Sequence, residues 1–266
     1  MKKWISLTIV LACLLMLYAC APKETSGQTD GDLDYVLANG KLVIGITEYE
    51  PMNYYDENGK LIGFDTEFAE AVCAKLGVEP EFQIIDWDTK EVELKGKTID
   101  VIWNGLTVKE DRRENMDFSD AYLINEQVIV VRAADAGNYA DKGSFSGKTL
   151  VAEKESAGED AVTSDLAGAD YTAVDSQAGA LLEVKAGTAD AAVIDSTMAY
   201  AMTGAGTDNA ELTVLDIPLT DEEYAIGFRL GSSAVAQVNE IIAELAADGT
   251  LAALAAKYGL EDRLVK

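Results

Sequence analysis

The side chains best suited to hold a small charged molecule lie between residues 99 and 113. An apolar segment of strand length ends there at Asn104-Gly105, and Thr107 and Glu110 follow with the spacing of a capping box that opens a helix. A helix N-terminus presents free backbone N–H groups, and the guanidinium of Arg112 could add two parallel hydrogen bonds. Both features favour a carboxylate ligand. In the alternative interpretation, Thr107 is only a helix cap and Arg112 a solvated ion-pair partner.

The composition excludes several classes of function. The chain of 266 residues has 47 acidic and 21 basic side chains and a formal charge of −26, so nucleic acid is not expected as a partner. It contains no histidine, which excludes Ser-His-Asp and Cys-His catalysis and every histidine-based metal site. We therefore predict no catalytic residue, no metal site and no cofactor.

Residues 1–19 have the pattern of a secretory signal, with a basic start, a short apolar segment and a small residue before Cys20. The apolar segment is shorter than the roughly 20 residues of a membrane span. Residues 17–20, Leu-Tyr-Ala-Cys, resemble a bacterial lipobox, which predicts that Cys20 carries lipid such as palmitate and anchors the protein outside the cell membrane. The alternative is a plain cleaved signal with an accidental Cys. The small, polar and charged residues of 20–34 predict a flexible linker.

Strands and helices alternate along the rest of the chain. Lys41–Ile46, for example, is apolar on both faces, as in a helix-covered sheet. The alternation predicts an α/β fold of two similar lobes with mainly parallel sheets. We place lobe 1 at residues 35–128 and 221–266 and lobe 2 at residues 129–220, so that two crossings form a hinge. In such folds a ligand binds in the cleft outside the carboxyl ends of the strands.

A short internal echo supports two similar lobes. Residues 95–102 resemble residues 185–192, and each segment contains a helix end, a turn that closes with Asp and a buried strand. The first strand leads to Asn104-Gly105 and the second to Asp195.

Several motifs occur in the order typical of one family. Together they resemble the polar amino-acid-binding proteins of ABC importers, solute-binding family three, over about residue 35 to the end. This resemblance implies the type II periplasmic-binding fold. The matching segments are Gly63-Phe64-Asp65-Thr66-Glu67-Phe68-Ala69, Gly105-Leu106-Thr107 with Arg112, Asp117-Phe118-Ser119-Asp120, Gly147-Lys148, and Gly187 with Asp190-Ala191 and Asp195.

The resemblance also implies a set of ligand-binding residues. Arg112 of the first lobe would hold the α-carboxylate of an amino acid, and Asp195 of the second lobe would hold its α-ammonium group. Backbone N–H groups at a helix N-terminus would assist, and two aromatic side chains would flank the side chain of the ligand. The complete implied set is Tyr49, Trp87, Asn104, Gly105, Thr107, Arg112, Ser156, Ala157, Gly158 and Asp195.

Physical reasoning agrees with this set. A free amino acid is a zwitterion, so enclosing it costs free energy unless both charges find partners. Because Arg112 and Asp195 are placed in different lobes, one ligand can stabilise the closed form of the cleft. In the alternative interpretation, Asp195 caps the following helix, and Tyr49 and Trp87 are ordinary packing residues.

The implied function is capture of a free polar L-amino acid outside the membrane and its delivery to the permease of an ABC importer, without catalysis. Glu48, Glu50 and Glu155 near the predicted site favour a basic or amide side chain on the ligand. Two alternatives stay open: a sensor that presents its closed form to a receptor or kinase, and a periplasmic dehydratase on the same scaffold. The lack of histidine and of a spare acid–base pair argues against the dehydratase.

Overall fold

The computed structural model describes residues 31–266, so the predicted signal peptide, Cys20 and most of the predicted linker lie outside the described residues. The helices are, in chain order, α1 (Asp32–Asn39), α2 (Phe64–Leu76), α3 (Lys90–Gly96), α4 (Glu110–Arg113), α5 (Ala157–Asp165), α6 (Gln177–Ala186), α7 (Ser196–Met202), α8 (Ala234–Ala247) and α9 (Thr250–Tyr258). Helix α1 begins within segment 20–34, which the composition predicts to be linker. The last residues of that segment are therefore helical.

The strands alternate with these helices as predicted. They are β1 (Lys41–Ile46), β2 (Tyr54–Tyr55), β3 (Leu61–Ile62), β4 (Glu79–Ile84), β5 (Val101–Ile102), β6 (Met116–Phe118), β7 (Leu123–Arg132), β8 (Thr149–Glu153), β9 (Asp170–Val174), β10 (Ala191–Asp195), β11 (Leu212–Val214), β12 (Asp221–Tyr224) and β13 (Gly227–Arg229). Short 3-10 turns lie at Trp87–Thr89, Ala133–Asn138, Lys142–Phe145 and Glu261–Arg263.

Two larger sheets contain most of these strands, and β2 and β3 form a separate antiparallel pair. The first has the order β4-β1-β5-β13-β6, in which β1 is parallel to both neighbours and β13 is antiparallel to both. The second has the order β11-β7-β10-β8-β9, in which β8 is parallel to both neighbours and β7 is antiparallel to both. The sheets are thus mixed rather than mainly parallel. The antiparallel pairs arise because the chain enters each sheet from the opposite direction when it arrives from the other one.

Strands β7 and β12 carry the chain between the sheets. The first half of β7 pairs with β12 in antiparallel register, with Asn125 opposite Glu222, and its second half belongs to the second sheet. The predicted lobe boundaries fall inside β7, between residues 128 and 129, and at the start of β12, between residues 220 and 221. They stay predictions, and the pairing shows that both crossings lie side by side.

The internal echo has a structural counterpart. Asp100 accepts a hydrogen bond from the backbone N–H of Val43 at 3.0 Å, and Asp190 accepts one from the N–H of Thr149 at 2.9 Å. In each sheet, the turn before a buried strand is therefore fastened to the neighbouring parallel strand by a carboxylate. This contact fixes the register of the paired strands, and so where their carboxyl ends meet the cavity described below.

A buried carboxyl group ties helix α2 to the turn after β5. Asp65 is fully buried, and its Oδ2 accepts hydrogen bonds from the N–H of Gly105 at 2.7 Å and from the hydroxyl of Tyr122 at 3.0 Å. Burial raises the pKa of Asp65 to about 7, and the two donors oppose that rise. The predicted helix from Gly63-Phe64-Asp65 thus positions the Gly105 turn through one side chain.

The Asp65 pKa gives a testable pH dependence of stability. Because the folded-state pKa of about 7 lies above the ordinary value of 3.8, the folded state binds more protons between these pH values, and stability falls as the pH rises through them. This group alone should cost roughly 4 kcal/mol above pH 7. Asp65→Asn should make the fall in unfolding free energy, measured in urea from pH 4 to 8, less steep. Glu70→Gln, an exposed change on the same helix, should leave it unchanged; superimposable profiles for Asp65→Asn and the wild type would contradict this account.

Candidate functional site

One cavity lies where strand ends of the two sheets face each other. Its wall contains residues at or just past the carboxyl ends of β1, β4 and β5 from the first sheet and of β8, β9 and β10 from the second. The lining residues are Thr47, Glu48, Tyr49, Trp87, Asn104, Gly105, Thr107, Arg112, Glu153, Ser156, Ala157, Gln177, Asp195 and Met198.

The structure brings nine of the ten predicted ligand-binding residues to this cavity. The exception is Gly158, the second residue of α5, which does not line it. A Cβ atom at Gly158 would lie 2.7 Å from the carbonyl oxygen of Val193, so glycine lets the N-terminus of α5 pack directly against β10. Its position is explained by packing, and the contacts of the other nine with a ligand stay predictions.

Arg112 supplies the positive charge of the cavity wall. Its side chain is buried, and it donates hydrogen bonds to the carbonyl oxygens of Thr107 at 2.8 Å and of Glu155 at 3.2 Å. Burial lowers the pKa of Arg112, and nearby carboxylates, with Asp111 the foremost, oppose that effect. The guanidinium is thus held in place by backbone oxygens, and it is not the solvated side chain of the alternative interpretation.

The predicted capping box before Arg112 is wrong. Helix α4 is a single turn of four residues that starts at Glu110, and its N-cap residue is Lys109. Thr107 is instead paired with Tyr224 in an antiparallel bridge, and its hydroxyl donates to Glu222 at 3.1 Å. The backbone at Thr107 is extended because it pairs with the end of the returning strand β12, a contact that local sequence does not reveal.

Asp195 supplies a negative charge opposite. It is buried, and its Oδ1 accepts hydrogen bonds from the side-chain amides of Asn125 and Gln127, each at 2.7 Å, while Gln177 donates to its Oδ2. Asp195 stands at the N-cap position of α7, but its side chain makes no capping hydrogen bond. The capping alternative is therefore wrong, and the carboxylate is held by three amides instead.

Two carboxylates share the same amide donors. Oε2 of Glu222 also accepts from the amides of Asn125 and Gln127, each at 3.0 Å. Burial and the neighbouring charge of Glu222 raise the pKa of Asp195 to about 6. A bound cation beside Asp195 would relieve this repulsion, so the network favours a positive group at this point of the cavity.

The aromatic and polar residues of the first sheet complete the wall. The hydroxyl of buried Tyr49 is hydrogen-bonded to Thr197 at 2.5 Å and to Tyr224 at 2.6 Å. Asn104 donates to the carbonyl oxygen of Thr47 at 3.0 Å and to Asn53 at 2.7 Å. These side chains are fixed by hydrogen bonds within the protein, which leaves their positions defined before any ligand binds.

Gly105 occupies a position that accepts no side chain. Its φ is +57°, in the left-handed region, and an added Cβ would lie 2.6 Å from Cε1 of Tyr49. The chain can therefore turn after β5 and keep Tyr49 against the turn only if residue 105 is glycine.

Several contacts cross the cavity from one group of strands to the other. Lys90, which follows β4, donates to the carbonyl oxygen of Glu155 at 3.0 Å, the same oxygen that Arg112 contacts. Glu155 has a φ of +58°, which is unusual for a residue with a side chain. At the rim, Lys154 pairs with Asp88 at 2.6 Å. The two sides are thus joined by buried donors to a backbone oxygen and by an exposed ion pair.

Five lining residues were not in the predicted set. They are Thr47, Glu48, Glu153, Gln177 and Met198. Glu153 had a usable signal, because it is the last residue of a predicted strand and the cleft was placed at strand ends; Gln177 and Met198 lie on helices and had none. Glu153 also adds a carboxyl group with a pKa raised to about 8, a residue that the argument from the lack of a spare acid–base pair did not consider.

Comparison with known proteins identifies the family of this chain. Residues 42–261 match the model of the bacterial extracellular solute-binding proteins, family 3. The chain belongs to this family. That assignment confirms the family resemblance and the two-lobe α/β fold. It also places this family 3 protein among extracytoplasmic solute-binding proteins.

Individual relatives agree with the assignment. The L-cystine-binding protein TcyJ of Escherichia coli is 29% identical over 86% of this chain and 86% of its own length. A substrate-binding protein of an ABC uptake transporter from Streptococcus pneumoniae, with bound histidine, is 30% identical with a TM-score of 0.81, over 90% of this chain and 100% of its own. The arginine-bound form of truncated ArgBP from T. maritima is 32% identical with a TM-score of 0.74, over 80% and 99%.

Residues 31–266 of this family 3 protein contain neither a candidate metal site nor a helix suited to a bilayer. Within that range no three His, Cys, Asp or Glu side chains are grouped so that they could hold a metal ion. None of the helices in the same range has both the length and the apolar character needed to cross a bilayer.

The shared amides predict an effect of Glu222 on Asp195. Glu222→Gln keeps an oxygen that can accept the same hydrogen bonds but removes the charge, so the pKa of Asp195 should fall from about 6. Carboxyl carbon NMR of labelled Asp side chains, titrated from pH 3 to 8, measures this shift. Glu223→Gln, an exposed neighbour on the same strand, should leave the titration unchanged. An unaltered Asp195 titration in Glu222→Gln would contradict the coupling.

Proposed function

We propose that this protein binds a free polar α-amino acid outside the membrane and presents it, unchanged, to the permease of an ABC importer. The observation that carries the proposal is the pair of buried, oppositely charged groups, Arg112 and Asp195, in the wall of one cavity. An α-carboxylate and an α-ammonium group are the two charges that every amino acid offers. The named relatives, which bind cystine, histidine and arginine, support the same class of ligand.

The arrangement explains how a ligand could change the state of the protein. Arg112 follows β5 of the first sheet, and Asp195 ends β10 of the second. A zwitterion that contacts both residues connects the two sides of the cavity. Because it binds the closed arrangement more tightly than the open one, it shifts the equilibrium toward the closed arrangement. A permease that recognises the closed arrangement would then receive loaded protein only.

Lipid attachment belongs to the same proposal. Cys20 follows a secretory signal and completes the lipobox-like segment 17–20. Two or more acyl chains there would hold the protein stably at the outer face of the cell membrane, which a single chain does not achieve. Residues 20–31 would then separate the binding domain from the bilayer and leave the cavity free to collect ligand near the permease.

Removal of the guanidinium tests the site. A thermal-shift screen of the twenty amino acids, ornithine and cystine selects the ligand, and isothermal titration then measures its affinity. Arg112→Ala should weaken binding by about 2–5 kcal/mol, since an enclosed carboxylate loses its charged partner. This corresponds to roughly thirty-fold to several thousand-fold.

The neighbouring residue provides the control for this measurement. Arg113→Ala removes the same charge from a side chain that is half exposed and lies over Phe118 rather than in the cavity wall. It should change the affinity by less than a factor of about two, as expected for an exposed charge. A loss below threefold in Arg112→Ala would remove this residue from the site.

Cys20→Ser tests the anchor. Expressed with its own signal in a bacterial host, the wild type should incorporate labelled palmitate and fractionate with membranes, and Cys20→Ser should do neither because the serine hydroxyl does not accept the lipid. Cys13→Ser, inside the predicted signal, serves as the matched control and should behave like the wild type. Palmitate label on the Cys20→Ser protein would show that the lipid is attached to another residue.

A further inference from the structure

The cavity wall has more acidic groups than an amino acid with an uncharged side chain can pair with. The wall contains one cationic side chain, Arg112, and the carboxyl groups of Glu48, Glu153 and Asp195. In the proposed function, Arg112 and Asp195 take the two charges of the α-amino acid group. Glu48 is exposed and can be solvated. Glu153 is buried, and the proposed function gives it no role.

Glu153 is buried deeply enough for its charge to matter. It is the last residue of β8, and only 5% of its surface is exposed. Its backbone carbonyl accepts from the N–H of Ser156 at 3.3 Å, which fixes the strand end in the wall. Isolated carboxylates at such depth are costly unless a cation and hydrogen bonds compensate the lost hydration.

In the described part of the chain, residues 31–266, no cationic side chain pairs directly with Glu153. None of the ion pairs within residues 31–266 includes Glu153. The nearby Lys90 directs its ammonium group to the carbonyl oxygens of Trp87 at 3.1 Å and Glu155 at 3.0 Å. Arg112 is likewise directed to backbone oxygens.

The groups around Glu153 determine its protonation. Burial and the charge of Asp195 on β10 raise its pKa to about 8. Lys90 on α3, Gln177 on α6 and Arg112 on α4 each lower the pKa by a smaller amount. The carboxyl group therefore keeps its proton at pH 7 until a further positive charge arrives.

We infer that Glu153 is the contact for a second positive charge, carried by the side chain of the ligand, and that the preferred ligands are α-amino acids with a cationic side chain. The inference rests on the proposed function, because it assumes that Arg112 and Asp195 hold the α-carboxylate and α-ammonium groups. When the cation enters, the O–H bond of Glu153 breaks, the proton passes to the buffer, and the carboxylate pairs with the cation. A neutral amide ligand would accept a hydrogen bond from the protonated group and release no proton.

Proton release by the wild-type protein is the first test. Isothermal titration at pH 7 in phosphate and in Tris, buffers of different ionisation enthalpy, counts protons for arginine, lysine, ornithine and glutamine. Arginine, lysine or ornithine should bind more tightly than glutamine and should release most of one proton more per ligand, as a group with a pKa of about 8 requires. This measurement needs no variant, so it holds whatever a substitution does to folding.

The second test removes the charge. Glu153→Gln should lose at least tenfold in affinity for the cationic ligand, keep its affinity for glutamine within threefold, and abolish the extra proton release. The matched control is Asp170→Asn on the neighbouring strand β9, whose exposed side chain does not line the cavity and should not affect either quantity. Circular dichroism melts establish that the variants are folded.

The outcomes separate this inference from the proposed function. Tight binding of a neutral amino acid with no extra proton release, together with an unchanged profile in Glu153→Gln, would overturn the role of Glu153 and leave amino acid capture intact. A wild-type protein that binds none of these amino acids would overturn both. Preference for a cationic ligand with full retention of that affinity in Glu153→Gln would place the second contact on another carboxylate.

Discussion

Two buried charges of opposite sign in one cavity set the requirements that the rest of the structure meets. A guanidinium and a carboxylate that are removed from water each cost several kcal/mol unless other polar groups replace their hydration. Arg112 meets this requirement with backbone oxygens, and Asp195 meets it with side-chain amides. Each charge is thereby held on its own side, and a zwitterionic molecule can complete the pairing between them.

The amides that hold Asp195 come from the strand that links the two sheets. Asn125 and Gln127 lie on β7 and donate both to Asp195 and to Glu222 of the paired strand β12. Asp195 is therefore hydrogen-bonded directly to β7, and the same two amides link it to Glu222 on β12. Any change in the pairing of β7 with β12 alters the hydration and the proton affinity of Asp195, which couples hinge geometry to the charge of the site.

The sequence predicted the elements whose signals are local or repeated, and missed those that depend on long-range pairing. Apolar segments located β1 and β10, and the order of motifs placed Arg112 and Asp195 at one cavity. The Thr107 capping box failed because a strand more than one hundred residues later pairs with that segment. The mixed character of the sheets has the same cause. Glu153 lay at a predicted strand end. Its burial in the cavity wall depends on how the two sheets pack, which no single segment of the sequence encodes.

The contact at Glu155 has a consequence for how this wall can vary. Lys90 and Arg112 both converge on the main-chain oxygen of residue 155, whose left-handed backbone aims that oxygen across the cavity. A main-chain acceptor exists whatever side chain is attached, so replacement of Glu155 by glycine or asparagine would retain the bridge and ease its conformational cost. Substitution of Lys90, by contrast, deletes one of the two donors outright. Mutations should therefore be tolerated better at residue 155, which supplies the main-chain acceptor, than at the residues whose side chains donate to it.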